Sequence, residues 1–105
     1  MGKKHFFIRL IPPRISFTAD MTEAERTIMQ EHVVYWKGLL DRGIAIVYGP
    51  VFDPNGGYGI GIVEVDNEEK VRHIMDNDPT MKSGQFTYEI NSMRCEKKID
   101  ISAGL

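Results

Sequence analysis

"TEAERTIMQEHVVYWKGLLDRGIAIVYGP", residues 22 to 50, begins as a helix and ends as a strand. Thr22 can cap a free backbone N–H, and Glu25, three residues on, can return the bond as a capping box. Glu23 and Glu25 also suit the positive end of a helix dipole. No proline interrupts the run to Arg42, and Gly43 is placed to end it in a left-handed turn. Ile28, His32, Tyr35, Trp36, Leu39 and Leu40 recur at the spacing of one buried stripe. His32 is therefore expected to face inward among bulky apolar side chains. "IAIVYGP" (44–50) follows as a strand stopped by Gly49-Pro50.

The flanking sequence extends this unit on both sides. Upstream, "HFFIRLI" (5–11) is a β-rich run ended by Pro12-Pro13, and "RISFTADM" is expected to be an irregular connection. Downstream, "DPNGG" (53–57) is a turn of the kind that joins antiparallel strands. "YGIGIVEV" (58–65) is a third strand, and Asp66 or Asn67 caps a shorter helix, "NEEKVRHIMDN". "DPTMKSG" is expected to be a loop, because Asp78 precedes a proline and is biased away from helical angles. "QFTYEINSM" (85–93) is the last strand, and residues 94–105 form a tail or an edge extension. The order β-α-β-β-α-β predicts an α+β, ferredoxin-like domain: a four-stranded antiparallel sheet with two helices on one face. One domain is expected over 1–105, with its core at about 5–93.

Composition narrows the functional classes. The chain has 105 residues and a net charge of -2, with 42% apolar and 27% charged residues, the balance of a globular protein. No basic block exceeds the pairs Lys3-Lys4 and Lys97-Lys98, which argues against a nucleic-acid groove. A single cysteine, Cys95, excludes an intramolecular disulfide scaffold and reads as an incidental thiol. The N-terminal apolar run is broken by Arg9 and two prolines, so neither a signal peptide nor a membrane span is expected. Cytoplasm is the default location. His5, His32 and His73 belong to three separate elements without metal-ligand spacing, so no metal is expected. "PNGGYGIG" lacks the helix N-terminus of a phosphate loop and reads as turn chemistry. No cofactor motif is visible.

The strands do not alternate cleanly between apolar and polar. Phe6, Ile8 and Leu10 share one side of the first strand, while Phe7 and Ile11 occupy the other. A bare apolar sheet face exceeds what monomers tolerate, so a homodimer with two sheets face to face is expected. Arg9 lies on the side of Phe7 and Ile11, either exposed or paired with Glu64 or Glu89.

His32 has two readings. It is a core histidine with one hydrogen bond, or a general acid/base oriented by a second group. Asp41, nine residues away on the same helix, projects from the opposite side. Asp78 is better placed, because the two helices lie side by side on one sheet face and a carboxylate there can hold the ring's tautomer. The alternative is that Asp78 merely starts a turn before Pro79. Met21, Met29 and Met75 read as gap-filling core or cap residues. Tyr35, Trp36 and Tyr48 either pack the core or line a pocket for a flat ring. Arg9 and Arg14 are candidate clamps for negative charge on a substrate.

"EHVVYWKGLLDRG", "VYGPV" and "DNDPTMKSGQFTYEI" together resemble the YCII-related family of the dimeric α/β-barrel superfamily. The resemblance runs from about residue 5 to residue 93. It is carried by His32, by Gly49-Pro50 closing the second strand, and by Asp78-Pro79 followed by Gly84. It implies a ferredoxin-like dimer with an active site around a His-Asp pair, here His32 and Asp78. One relative is a dehydrochlorinase acting on a chlorinated hydroxyquinol, and more distant superfamily members include muconolactone isomerases and monooxygenases. The extended "IPPRISFTADM" connection departs from the family pattern, so no substrate carries over. The expectation is a small cofactor-independent enzyme of lyase or isomerase type, working on a small organic molecule with His32 and Asp78 as the catalytic pair. The rival is a non-catalytic ligand-binding or accessory dimer in which that pair is only a buried hydrogen bond.

Overall fold

The computed structural model describes residues 2–96, and most of the expected tail, 97–105, lies outside them. Four strands, β1 (Lys4–Ile11), β2 (Ala45–Val51), β3 (Tyr58–Val65) and β4 (Thr87–Met93), form one sheet in the order β2-β3-β1-β4. Every neighbouring pair is antiparallel. With its helices this is the ferredoxin-like α+β fold that the element order implies.

The long helix α2 (Glu23–Asp41) has both ends fixed by local chemistry. Thr22 and Glu25 form the full capping box. At the other end Gly43 adopts φ 75°, the Gly43 N–H donates to the Leu40 carbonyl, and the Ile44 N–H donates to the Leu39 carbonyl. That double bond pattern satisfies the orphan carbonyls of the last turn and needs a left-handed residue at Gly43. The buried stripe runs through Trp36 and Leu39, whereas Leu40 is 36% exposed and sits at the edge of the stripe. The helix α3 (Glu68–Asp76) is capped by Asn67, whose side chain accepts from Lys70.

Two short helices stand where connections were expected. Within "RISFTADM", α1 (Phe17–Asp20) forms one turn and buries Phe17. Within "DPTMKSG", α4 (Pro79–Lys82) starts at a proline in its first position, with Asp78 as its N-cap. Proline suits that position because its missing N–H would be unpaired there anyway.

The core lies between the inner sheet face and the helices. Phe6, Ile8, Leu10, Val63 and Val65 project from the sheet toward Trp36, Leu39, Val71 and Met75. The opposite sheet face carries rows read directly from the register. Val47, Ile62, Phe7 and Asn91 stand side by side, next to Gly49, Ile60, Arg9 and Glu89. There Arg9 stacks on Tyr58 at 4.1 Å and reaches Glu89 at 3.8 Å, while Glu64 pairs with His5 at 2.8 Å.

Candidate active site

Asp78 is the fixed point of the site. It is the single extended residue between Asn77, which closes α3, and Pro79; it caps α4 and is fully buried. Its carboxylate accepts from four donors. The Thr80 backbone N–H and hydroxyl reach Oδ1 at 2.9 and 2.8 Å, and Trp36 Nε1 donates to Oδ2 at 2.7 Å. His32 Nδ1 lies 3.0 Å from both oxygens. Burial alone pushes the Asp78 carboxyl up. The hydrogen bond and charge of His32, with the bonds from Trp36 and Thr80, outweigh it and hold the group below its ordinary value.

An ionised carboxylate can only accept, so the proton between the two groups sits on Nδ1 and Nε2 is left as the ring's free position. Nε2 has no hydrogen-bond partner among the described residues. Arg9 Nε is the only described buried side-chain polar atom that lacks one, so Nε2 keeps contact with solvent. His32, 13% exposed at its side chain, lines a cavity of about 390 Å³ between the inner sheet face and helices α1 and α2.

The walls of this cavity come mainly from helix α2, the sheet and the connection 12–21. Trp36 from α2 and Tyr48 from β2 stand with ring centroids 6.1 Å apart. Tyr48 faces inward because the β2–β3 register shifts between Ala45 and Val47. Ala45 and Tyr48, three residues apart, thereby both oppose inner-face positions of β3, Val63 and Gly61. Gly61 makes room for the indole, since a Cβ there would lie 2.6 Å from the edge of the Trp36 ring. The connection 12–21 closes one end with Pro12, Phe17, Thr18 and Met21, Phe17 meeting Phe86 edge-on at 5.3 Å.

The other expected site residues are spread apart. Arg9 is on the outer sheet face and does not itself line the cavity, although its guanidinium stacks on Tyr58, which does. Arg14 does not line it either. Its Nη1 and Nη2 reach Glu25 at 2.9 and 2.7 Å, its Nε reaches Asp20 Oδ1 at 2.8 Å, and Nη2 also donates to the Asp20 carbonyl. The bonds to Glu25 and then Asp20 raise the guanidinium above its ordinary pKa, and Arg14, followed by the Thr22 backbone, holds Glu25 down to about 2. Arg14 thus ties the 12–21 connection to the start of α2, which explains why Glu25 is buried. Tyr35 donates its hydroxyl to the Ile74 carbonyl at 2.7 Å and docks α2 on α3 outside the cavity. Burial, then the charge of Asp78, pushes its phenol up. Asp41 pairs with Lys37 on the exposed side of α2.

Sequence reasoning missed Thr80 and the polar role of Trp36. The signal for Thr80 was present in "DPT", where an N-cap Asp two residues before a hydroxyl can collect both of that residue's donors. Among the described residues no group of three or more His, Cys, Asp or Glu side chains stands ready to hold a metal ion, and no helix is long and apolar enough to cross a membrane.

Among solved structures the chain resembles the 5-chloro-2-hydroxyhydroquinone dehydrochlorinase of Burkholderia phenoliruptrix AC1100, in complex with 2,5-dihydroxybenzoquinone. The two are 18% identical, with a TM-score of 0.64 over 85% of this chain and 93% of that one. At this identity the likeness concerns the fold. Comparison with curated proteins finds no match. The profile of the YCII-related domain matches residues 6–94, which is most of the chain, and the protein therefore belongs to the YCII-related family.

Proposed function

We propose that the protein is a small enzyme that moves a proton on a small organic molecule, without a cofactor, in lyase or isomerase chemistry. His32 is the general acid/base, acting through Nε2, and Asp78 is the residue that positions it. The observation that carries this reading is the free Nε2 at the wall of a cavity, with Nδ1 fixed by a buried carboxylate. Trp36 and Thr80 brace that carboxylate in turn, so the ring is held in one orientation before a substrate arrives. The dehydrochlorinase of similar fold acts on a chlorinated hydroxylated ring, and ring compounds are accordingly the first substrates to try. The working unit is proposed to be a cytoplasmic homodimer joined through the outer sheet faces.

Proton transfer can be measured before the natural substrate is identified. Cyclic ketones, lactones and phenols are incubated with the protein in D₂O, and exchange of their acidic hydrogens is followed by NMR. The expected result is exchange that His32→Ala lowers by roughly 10²–10⁴-fold. The variant should stay folded, because Asp78 keeps its donors from Trp36 and Thr80. If His32→Ala unfolds while exchange per folded molecule is unchanged, the histidine is a packing residue and the protein a binding module.

A further inference from the structure

We infer that the guest of this cavity is uncharged: a flat, largely hydrocarbon molecule of one or two rings whose polar group meets His32, with carboxylates and phosphates rejected. This rests on the acid/base reading of the same site and adds the substrate class to it.

The argument begins with charge. Among the described residues lining the cavity there is no Asp, Glu, Lys or Arg, and the polar side chains are few. Two guanidiniums are neighbours of the lining in sequence: Arg14 spends its donors on Asp20 and Glu25, and Arg9, on the outer sheet face, stacks on Tyr58 and pairs with Glu89. The formal charge closest to the ring is the buried carboxylate of Asp78, which is negative. An anionic guest at Nε2 faces that carboxylate across the imidazole. It surrenders its hydration shell to an apolar wall and gains no cation beyond a ring whose charge Asp78 already balances, and an unpaired buried charge is among the costliest contacts a protein can make.

Shape points the same way. A volume of about 390 Å³ is near the lower end of the roughly 300–1,000 Å³ typical of ligand sites, which suits one or two rings. Trp36, Tyr48, Phe17 and Phe86 give flat apolar walls, the indole being seated on the β3 backbone at Gly61. A neutral carbonyl or hydroxyl is the group that such a site can accept at its single histidine.

Trp36 is the chain's only tryptophan, so its fluorescence reports on this cavity directly. The test titrates matched amide and carboxylate pairs on benzene, 4-hydroxybenzene and cyclohexene rings at neutral pH. Each pair has nearly one shape and differs in charge. Saturable quenching is expected with amides, and carboxylates are expected to bind roughly 100-fold or more weakly. Val33→Arg, which puts a cation at a half-exposed position of the cavity wall, should restore carboxylate binding by at least about tenfold. Wild-type binding of carboxylates as tight as that of amides overturns the inference, and so does the absence of saturable quenching by every neutral member. If amides bind but no ring compound exchanges its hydrogens in D₂O, the acid/base reading falls and the neutral guest stands. Exchange accompanied by equal carboxylate binding does the reverse.

Discussion

Trp36 belongs to the core and to the site at once. Its ring packs over Gly61 while its N–H holds one oxygen of Asp78, so the position of the carboxylate depends on a glycine across the sheet. In Gly61→Ala the new methyl would sit 2.6–2.7 Å from two ring carbons, and the indole has to shift. Overpacking of this kind costs about 1–3 kcal/mol. Urea denaturation should show that loss together with a change in Trp36 emission. Gly59→Ala is the control, since its Cβ meets Leu10 at an ordinary 3.6 Å and should leave both readings near wild type. Equal effects at the two glycines would mean that strand backbone, and not the indole seat, sets the response. Individual residues were unevenly legible in the sequence. Helical spacing turned His32 inward, and the side-by-side helices put Asp78 within its reach. The same spacing made Trp36 look like plain core, because periodicity reports burial and is blind to a polar atom at the end of a buried ring. Arg9 and Arg14 looked like anion clamps for a related reason: charge is visible in a sequence, but partners such as Glu25, eleven residues from Arg14, depend on the path of the loop.

The elements that escaped sequence reading are the short ones. The pre-proline rule correctly keeps Asp78 extended, at φ -70° and ψ 130°, and the helix begins only at the proline that follows. One fact therefore supports both a loop and a cap, and four residues are too few for periodicity to choose. The turn at 17–20 is likewise defined by its tether. Arg14, Asp20 and Glu25 form a charged clasp that joins this turn to the capped end of α2. The shift in register that turns Tyr48 inward left no mark in "IAIVYGP", where every position of the strand proper is apolar enough for either face. The clasp sets an acid limit to stability. Glu25 is held at about 2 against an ordinary 4.5, first by Arg14 and then by the Thr22 backbone, and Asp20 and Asp78 are also lowered from 3.8. A lowered folded-state pKa means stability that is complete above the ordinary value and lost as pH falls toward the folded one. The wild type should weaken progressively as pH falls from 4.5 toward 2. Glu25→Gln should be weaker at neutral pH, with a shallower decline over that interval. Parallel curves for the two proteins, from denaturation at stepped pH, would remove the clasp from the account.

For the whole molecule the unresolved demand is the outer sheet face. Its central row sets Val47, Ile62 and Phe7 side by side, and Val47 is 44% exposed. The row is flanked by groups that are already paired, His5 with Glu64 and Arg9 with Glu89 and Tyr58, so the surface is an apolar centre within a polar rim. That composition is typical of protein–protein contacts, and a four-stranded sheet face is close to the roughly 800 Å² per partner that a stable interface covers. Arg9 Nε, buried and without a partner, adds a donor that a facing carbonyl or carboxylate can satisfy. A second copy related by a two-fold axis meets these demands with the same surface. The expected mass in solution is twice the 12.0 kDa of the chain. Phe7→Glu puts a charge into the middle of the row and should give a monomer at micromolar concentration, with unchanged far-UV circular dichroism because Phe7 lies outside the inner core. Val34→Glu, at an exposed position on α2, should remain dimeric. Sedimentation equilibrium separates the cases: a wild-type monomer at 100 micromolar would leave the sheet face without its proposed partner, and dissociation by both variants would place the contact on the helices.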